Sequence, residues 1–254
     1  MIGRRAPTQL KEAARRDLTA ALLFDFNGVL VDDEEQHCEA LRAVLAAEGI
    51  TLSRDQYYAD YLGFNDRMCF LQAFRRACQP LDAGRLDRLV VDKSRRYQSL
   101  LDRSLTLVPG AAEFVRRAAG QFRLAVVSGG LRREIGVVLD RIGLRPYFEV
   151  IVAAEDVERW KPDPAGLLLA HATLDRRRPV ALGRCVVIED SLPGLQAARA
   201  AGMRCAMLTT SHPATLLAEA DVVWTSFAGH APADRKSTRL NSSHIQKSRM
   251  PSSA

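Results

Sequence analysis

A parallel β-sheet with helices on both faces, and an all-helical insertion behind its first strand, is the fold class that this sequence predicts. Three observations carry it. Six short runs rich in apolar and β-branched residues recur along the chain, each ending in small or polar residues. Segments whose apolar residues recur at helical spacing separate most of them, and that alternation is the pattern of an α/β protein. From residue 38 to residue 103 the alternation stops and only helical patterns remain.

The elements follow in chain order. ALLFDF, from Ala21 to Phe26, reads as a short buried strand. EALRAVLAAEG, RDQYYADYLG, RMCFLQAFRRAC and LDRLVVDKSRRYQSLLDRS then read as amphipathic helices. A structureless connection of that length does not suit a compact domain, so a small helical domain is expected there. VPG, Val108 to Gly110, marks the return to the α/β body. Strands are expected in FRLAVVSGG from Phe122, FEVIVAAED from Phe148, RCVVIEDS from Arg184, MRCAMLTT from Met203 and ADVVWTS from Ala220. Their apolar runs are continuous, as in strands buried on both faces. Helices are expected in GAAEFVRRAAG, LRREIGVVLDRIG, PDPAGLLLAHATL, SLPGLQAARAAG and HPATLLAEA. Gly143 and Gly202 stand where helices end. The expected organisation is an N-terminal extension over 1–17, a Rossmann-like core over 18–37 and 104–230, a helical cap over 38–103 and a tail over 234–254.

The chain has 254 residues, enough for one large domain or a domain with an insertion. No apolar run approaches the roughly 18 residues of a membrane span. The basic first residues lead into no apolar stretch of the secretory kind. The five cysteines form no C-x-x-C pair, which points to a reducing, cytoplasmic setting. The net charge of +6 is a property of the ends: residues 235–254 carry +5 and residues 1–17 carry +3, leaving 18–234 at −2. A nucleic-acid partner is therefore not expected, nor a membrane. The oligomeric state is not readable from the sequence, with a monomer slightly favoured. DRKSTRLNSSH and SRMPSSA back-translate into two consecutive parts of a sequence resembling a short-read sequencing adapter. Residues from about Asp234 onward are read as translated library DNA, with the natural C-terminus expected to be missing.

In an open parallel sheet, ligands bind beyond the carboxyl ends of the strands. The polar residues at those ends are Asp25 and Asn27, Ser128 and Gly129, Glu155 and Asp156, and Glu189 and Asp190, with Lys161 just past its strand. Each alone reads equally well as a helix cap, a loop residue or a turn. Together, in order and each at a strand end, they point to a common site.

With FDFNGVLVD, VVSGG, RWKPDP and VIEDSLPGLQAARAAGM in place, the chain resembles the haloacid dehalogenase superfamily of phosphotransferases over about Leu22 to Phe227. The resemblance is to the branch with a helical cap after the first motif, which includes β-phosphoglucomutase and phosphoglycolate phosphatase. It implies that Asp25 is a nucleophile forming an aspartyl-phosphate. It implies that Asp25, the main-chain carbonyl of Asn27, Glu189 and Asp190 hold Mg²⁺, which offsets repulsion between nucleophile and phosphate. Ser128 and the Gly129 N–H would donate to phosphate oxygens, and Lys161 would neutralise the phosphoryl group in the transition state. His37 matches a histidine at the hinge into the cap, and Arg67 a cap arginine for substrate charge. The implied substrate is a small organic phosphate, of the sugar phosphate or phosphoglycolate type.

The family's usual second aspartate, two residues after the nucleophile, is Asn27 here. An amide is no proton donor of that kind, and loss of a general acid costs ~10²–10⁴-fold. Hydrolysis with the proton carried by Asp33, His37, a cap residue or a good leaving group is the expectation. The alternatives are phosphomutase chemistry, the non-phosphatase chemistries of the superfamily, and phosphometabolite binding without turnover. Those other chemistries fit less well: the insertion holds one lysine, Lys93, for a Schiff base, and a dehalogenase has no need of the Glu189-Asp190 pair. Trp160, before Lys161, is either a wall of the pocket or an exposed loop aromatic.

Overall fold

The computed structural model describes residues 19–232, so the expected N-terminal extension and tail lie outside the described residues. Six strands form one sheet: β1 (Ala21–Phe24), β2 (Arg123–Val127), β3 (Val150–Val152), β4 (Cys185–Glu189), β5 (Arg204–Leu208) and β6 (Val222–Trp224). Their order is β3-β2-β1-β4-β5-β6 and every pairing is parallel. Strand order reverses between β1 and β4, which is where a ligand site is expected in such a sheet. Each of the six strands falls within an apolar run read from the sequence.

Eight α-helices complete the described residues: α1 (Glu34–Ala47), α2 (Arg54–Asp60), α3 (Asp66–Arg76), α4 (Ala83–Arg103), α5 (Ala111–Ala119), α6 (Arg132–Arg141), α7 (Ala165–Arg177) and α8 (Leu192–Ala200). Successive strand residues point to opposite faces, and the two cores separate on that period. Leu22 and Phe24 join Leu124, Val126, Val186 and Ile188 under α5 and α6. Leu23 joins Ala125, Val127 and Val187 under α7 and α8. Both faces are thus covered, which is why the strands carry no polar alternation.

The insertion, α1 to α4, has its own apolar core, built on Leu41, Leu45, Tyr57, Phe70, Phe74 and Leu89. Three of its four helix starts are capped by side chains. Ser53 and Gln56 form a capping box before α2, Asn65 accepts from Met68 N at 2.9 Å before α3, and Asp82 accepts from Arg85 N at 2.8 Å before α4. The far end of α4 leaves this core, and Tyr97 and Leu101 pack into the body instead.

One expected helix is absent. HPATLLAEA forms only the single 3-10 turn Ala214–Leu216. Leu217 is buried but Leu216 is 55% exposed, so the segment has no apolar stripe to hold more turns against the sheet.

Candidate active site

Asp25 is the first residue beyond β1, and its N–H bonds to Ile188 O of β4 at 2.9 Å, so it stands at the reversal of strand order. Glu189 ends β4, and Asp190 follows it before the Ser191 cap of α8. Lys161 lies in the loop between β3 and α7 and is 7% exposed. Its Nζ lies 2.9 Å from Asp25 Oδ2 and also contacts Glu189 Oε1. The second Glu189 oxygen accepts from Asp190 N at 2.8 Å, Ser191 N at 2.9 Å and Ser191 Oγ at 3.0 Å. The Glu189 carboxylate is therefore fully engaged, and it fixes the ammonium beside the nucleophile candidate. Asp190 Oδ2 accepts from Ser211 Oγ and, at 3.3 Å, from Thr210 Oγ1.

The approach of these segments requires glycine at two places. A Cβ on Gly28, whose φ is +69°, would lie 1.9 Å from Asp190 Oδ2. A Cβ on Gly194 would lie 2.0 Å from the Glu189 carboxylate. Bare backbone is what lets the first loop and the start of α8 close on the acids.

Oxygen atoms of Asp25, Glu189 and Asp190 lie within 4.8 Å of one another. Burial pushes the Asp25 carboxyl up to about 7, against the pull of Lys161. Burial, with the charges of Glu189 and Asp25, pushes Asp190 up as well. Lys161 is raised by Asp25 and Glu189 in spite of its burial, so it is an ammonium. One ammonium cannot balance three ionised carboxylates, and the two raised acids mark a set of hard oxygen donors that lacks positive charge. That suits a divalent cation such as Mg²⁺.

Asn27 follows the same loop but turns to the other side. Its amide nitrogen donates to Asp33 Oδ2 at 2.7 Å and lies 2.9 Å from His37 Nε2. Tyr97 also donates to Asp33 Oδ2, while Asp33 Oδ1 is buried without a partner. Burial pushes Asp33 up to about 7. The His37 ring stacks on Tyr97, with centroids 4.0 Å apart, and its Nδ1 contacts Lys93 Nζ. Burial and the Lys93 ammonium push the His37 pKa well down, so the ring is neutral.

Ser128 follows β2; its Oγ accepts from Gly130 N at 3.1 Å and reaches Asn27 Oδ1 at 3.4 Å. The hydroxyl is the donor in that long second bond, which its proton can exchange for a bond to a ligand oxygen. Asp25, Asn27, Ser128, Gly129, Lys161, Asp190 and His37 line one cleft between the carboxyl edge of the sheet and the insertion. Trp160 lines it too; it is buried, and its Nε1 donates to Ala154 O at 3.1 Å, so it is a wall and not an exposed aromatic.

Two expectations do not join this group. Arg67 is 52% exposed in its side chain, pairs with Asp87 at 2.5 Å and is not among the cleft-lining residues, because its position on α3 faces α4 at the surface. Glu155 and Asp156 hold Arg132 and the Ala153 N–H instead of facing the cleft. Other cleft residues went unread: Glu34, Asp66 and Ser211. Ser211 lies just past β5, where the strand-end rule that singled out Asp25 would also have found it. Glu34 and Asp66 gave no such signal.

The haloacid dehalogenase-like hydrolase family matches residues 19–202 of this chain. The chain is 31% identical over 204 residues to validoxylamine A 7'-phosphate phosphatase of Streptomyces hygroscopicus subsp. limoneus, covering 79% of this chain and 91% of the relative. It is 34% identical over 185 residues to fructose-1-phosphate phosphatase YqaB of Escherichia coli, covering 72% of this chain and 93% of the relative. Among solved structures it is similar to CbbY of Rhodobacter sphaeroides in complex with phosphate. The TM-score is 0.74 at 29% identity, over 84% of this chain and 96% of that one.

Proposed function

The chain belongs to the haloacid dehalogenase-like hydrolase family, and from that premise we propose that it is a Mg²⁺-dependent phosphatase of small organic phosphates that works through an aspartyl-phosphate on Asp25. The observation that carries this reading is the placement of Lys161 Nζ 2.9 Å from Asp25 Oδ2 in a cleft shared with Asp190 and Ser128. The names of the relatives support a phosphorylated substrate of the sugar phosphate kind.

Asp25 attacks phosphorus, the P–O bond to the leaving alcohol breaks as the acyl-phosphate forms, and the departing oxygen takes its proton from water; a second water then cleaves the acyl-phosphate to release inorganic phosphate and restore Asp25. The Ser128 hydroxyl and the Gly129 N–H orient the phosphate oxygens. Lys161, held by Glu189, supplies positive charge where negative charge builds up in transfer. Asp25, Asp190 and the Asn27 main-chain carbonyl, with Glu189 behind them, would hold Mg²⁺, which would supply charge against the repulsion between two anions. Helices α1 to α4 act as the cap that keeps water from the first step. Cytoplasmic location and a monomeric state belong to the same reading. In the described residues no helix is long and apolar enough to cross a membrane.

Position 27 supplies no acid, and its amide nitrogen is already committed to Asp33. Turnover is therefore expected to depend on the leaving group. Acetyl phosphate and para-nitrophenyl phosphate should react well and sugar phosphates slowly, all of them only with Mg²⁺. Assay of that panel with and without the metal tests the reading. Absence of turnover on every ester, with Mg²⁺-dependent thermal stabilisation by phosphates retained, would support a binding protein instead. Interconversion of sugar phosphates would support a mutase.

A further inference from the structure

The far end of the cleft bears on what the rest of the substrate can be. Among the described residues that line the cleft, two side chains are cationic, Lys161 and Lys93. Lys161 is held by Asp25 and Glu189. Lys93, 2% exposed in its side chain, lies 2.8 Å from Asp66 Oδ1. The first set lies within the α/β body and the second joins α3 to α4 within the insertion, so neither depends on how far the insertion closes.

The carboxylates facing that end are Asp66 and Glu34, with Lys93 the one ammonium beside them. Asp66 is the first residue of α3, where the N–H groups of a helix start would otherwise attract an anion. Glu34 accepts from the Tyr57 hydroxyl. A second phosphate or carboxylate on the substrate would meet these acids and find no ammonium that is not already paired. Sugar hydroxyls, by contrast, can donate to the same carboxylates.

We propose that the leaving group carries no second anionic group, and that the cleft selects phosphate monoesters of uncharged, hydroxyl-bearing molecules over bisphosphates and phosphorylated carboxylic acids. This rests on the phosphatase reading and narrows it: of the two substrate types suggested by the sequence, the sugar phosphate stands and phosphoglycolate does not.

The test compares kcat/KM, with Mg²⁺, for glucitol-6-phosphate and fructose-1-phosphate against fructose-1,6-bisphosphate and phosphoglycolate. The uncharged leaving groups should be preferred at least about tenfold, the scale of one unfavourable charge contact. Asp66→Asn should narrow the gap by lowering KM for the bisphosphate more than it alters kcat, and Arg67→Ala should leave the gap as it is. Equal or better turnover of the bisphosphate or phosphoglycolate would overturn the proposal, as would loss of bisphosphate turnover in Arg67→Ala. Acetyl phosphate, which makes no demand on the far end, reports the phosphatase reading by itself. Should no ester turn over, calorimetric titration of glucitol-6-phosphate and the bisphosphate into the full chain with Mg²⁺ decides the preference directly. Tighter binding of the bisphosphate would then overturn it.

Discussion

At position 27 one small side chain is held from two sides: Asp33 accepts its N–H at 2.7 Å, and Ser128 Oγ lies 3.4 Å from its oxygen. Simple restoration of an acid there is compromised by the first of these contacts. Asn27→Asp would set two buried carboxylates side by side, where they share a proton and neither behaves as an ordinary acid. The single substitution should therefore gain less than the pair Asn27→Asp with Asp33→Asn. That pair should raise kcat/KM for fructose-1-phosphate by about 10²-fold or more while changing acetyl phosphate little. Steady-state kinetics on the two substrates checks this, and equal effects on both would count against a missing leaving-group acid. Gly28 makes a second residue-level case. Ala there must clear a 1.9 Å approach to Asp190 at a φ of +69°. Gly28→Ala should cost about 1–3 kcal/mol of stability and weaken Mg²⁺ binding, read by urea unfolding and by metal titration.

Elements were legible in proportion to how much of each had to be buried. The six strands stood out because both faces of the sheet are covered, so their apolar runs are continuous. The helices of the insertion stood out because each presents an apolar stripe to a shared core. HPATLLAEA misled because apolar content alone does not make a stripe: one leucine is buried and its neighbour is exposed. At the site, strand ends are fixed by sheet register, so Asp25, Ser128, Glu189 and Asp190 could be placed from sequence. Residues contributed by the insertion depend on how four helices dock, which local pattern does not encode. Asp66 and Arg67 show the difference: adjacent on α3, they point about 100° apart, and only the former meets the cleft. Lys93 is the costliest of these to disturb. Lys93→Met removes the ammonium from Asp66 and should lower stability by about 2–3 kcal/mol in urea unfolding, against at most a few tenths for exposed Arg95→Met.

For the molecule as a whole, the joint between body and insertion is set by buried ionisable groups. Glu134, on α6 of the body, is 3% exposed and has one oxygen without a partner. Burial raises its pKa to about 7, against the pull of Lys93 from α4. The folded chain thus keeps a proton that the unfolded chain gives up near pH 4.5. That contribution to stability is complete below the unfolded value and is lost as pH rises through about 7. Thermal unfolding at pH 5 and pH 7.5 should show a smaller fall in Tm for Glu134→Gln than for the parent chain; an unchanged fall would mean that Glu134 ionises normally.

The proposed function turns on one carboxylate, at the reversal of strand order, taking a phosphoryl group. The most direct measurement is to mix the full chain with acetyl phosphate and Mg²⁺, quench in acid and map the modified peptide by mass spectrometry. One phosphoryl group should be found on Asp25. It should persist longer in the parent chain than in the Asn27→Asp/Asp33→Asn pair, whose restored base speeds hydrolysis. Turnover with the label on another residue, or turnover undiminished in Asp25→Asn, would contradict this assignment.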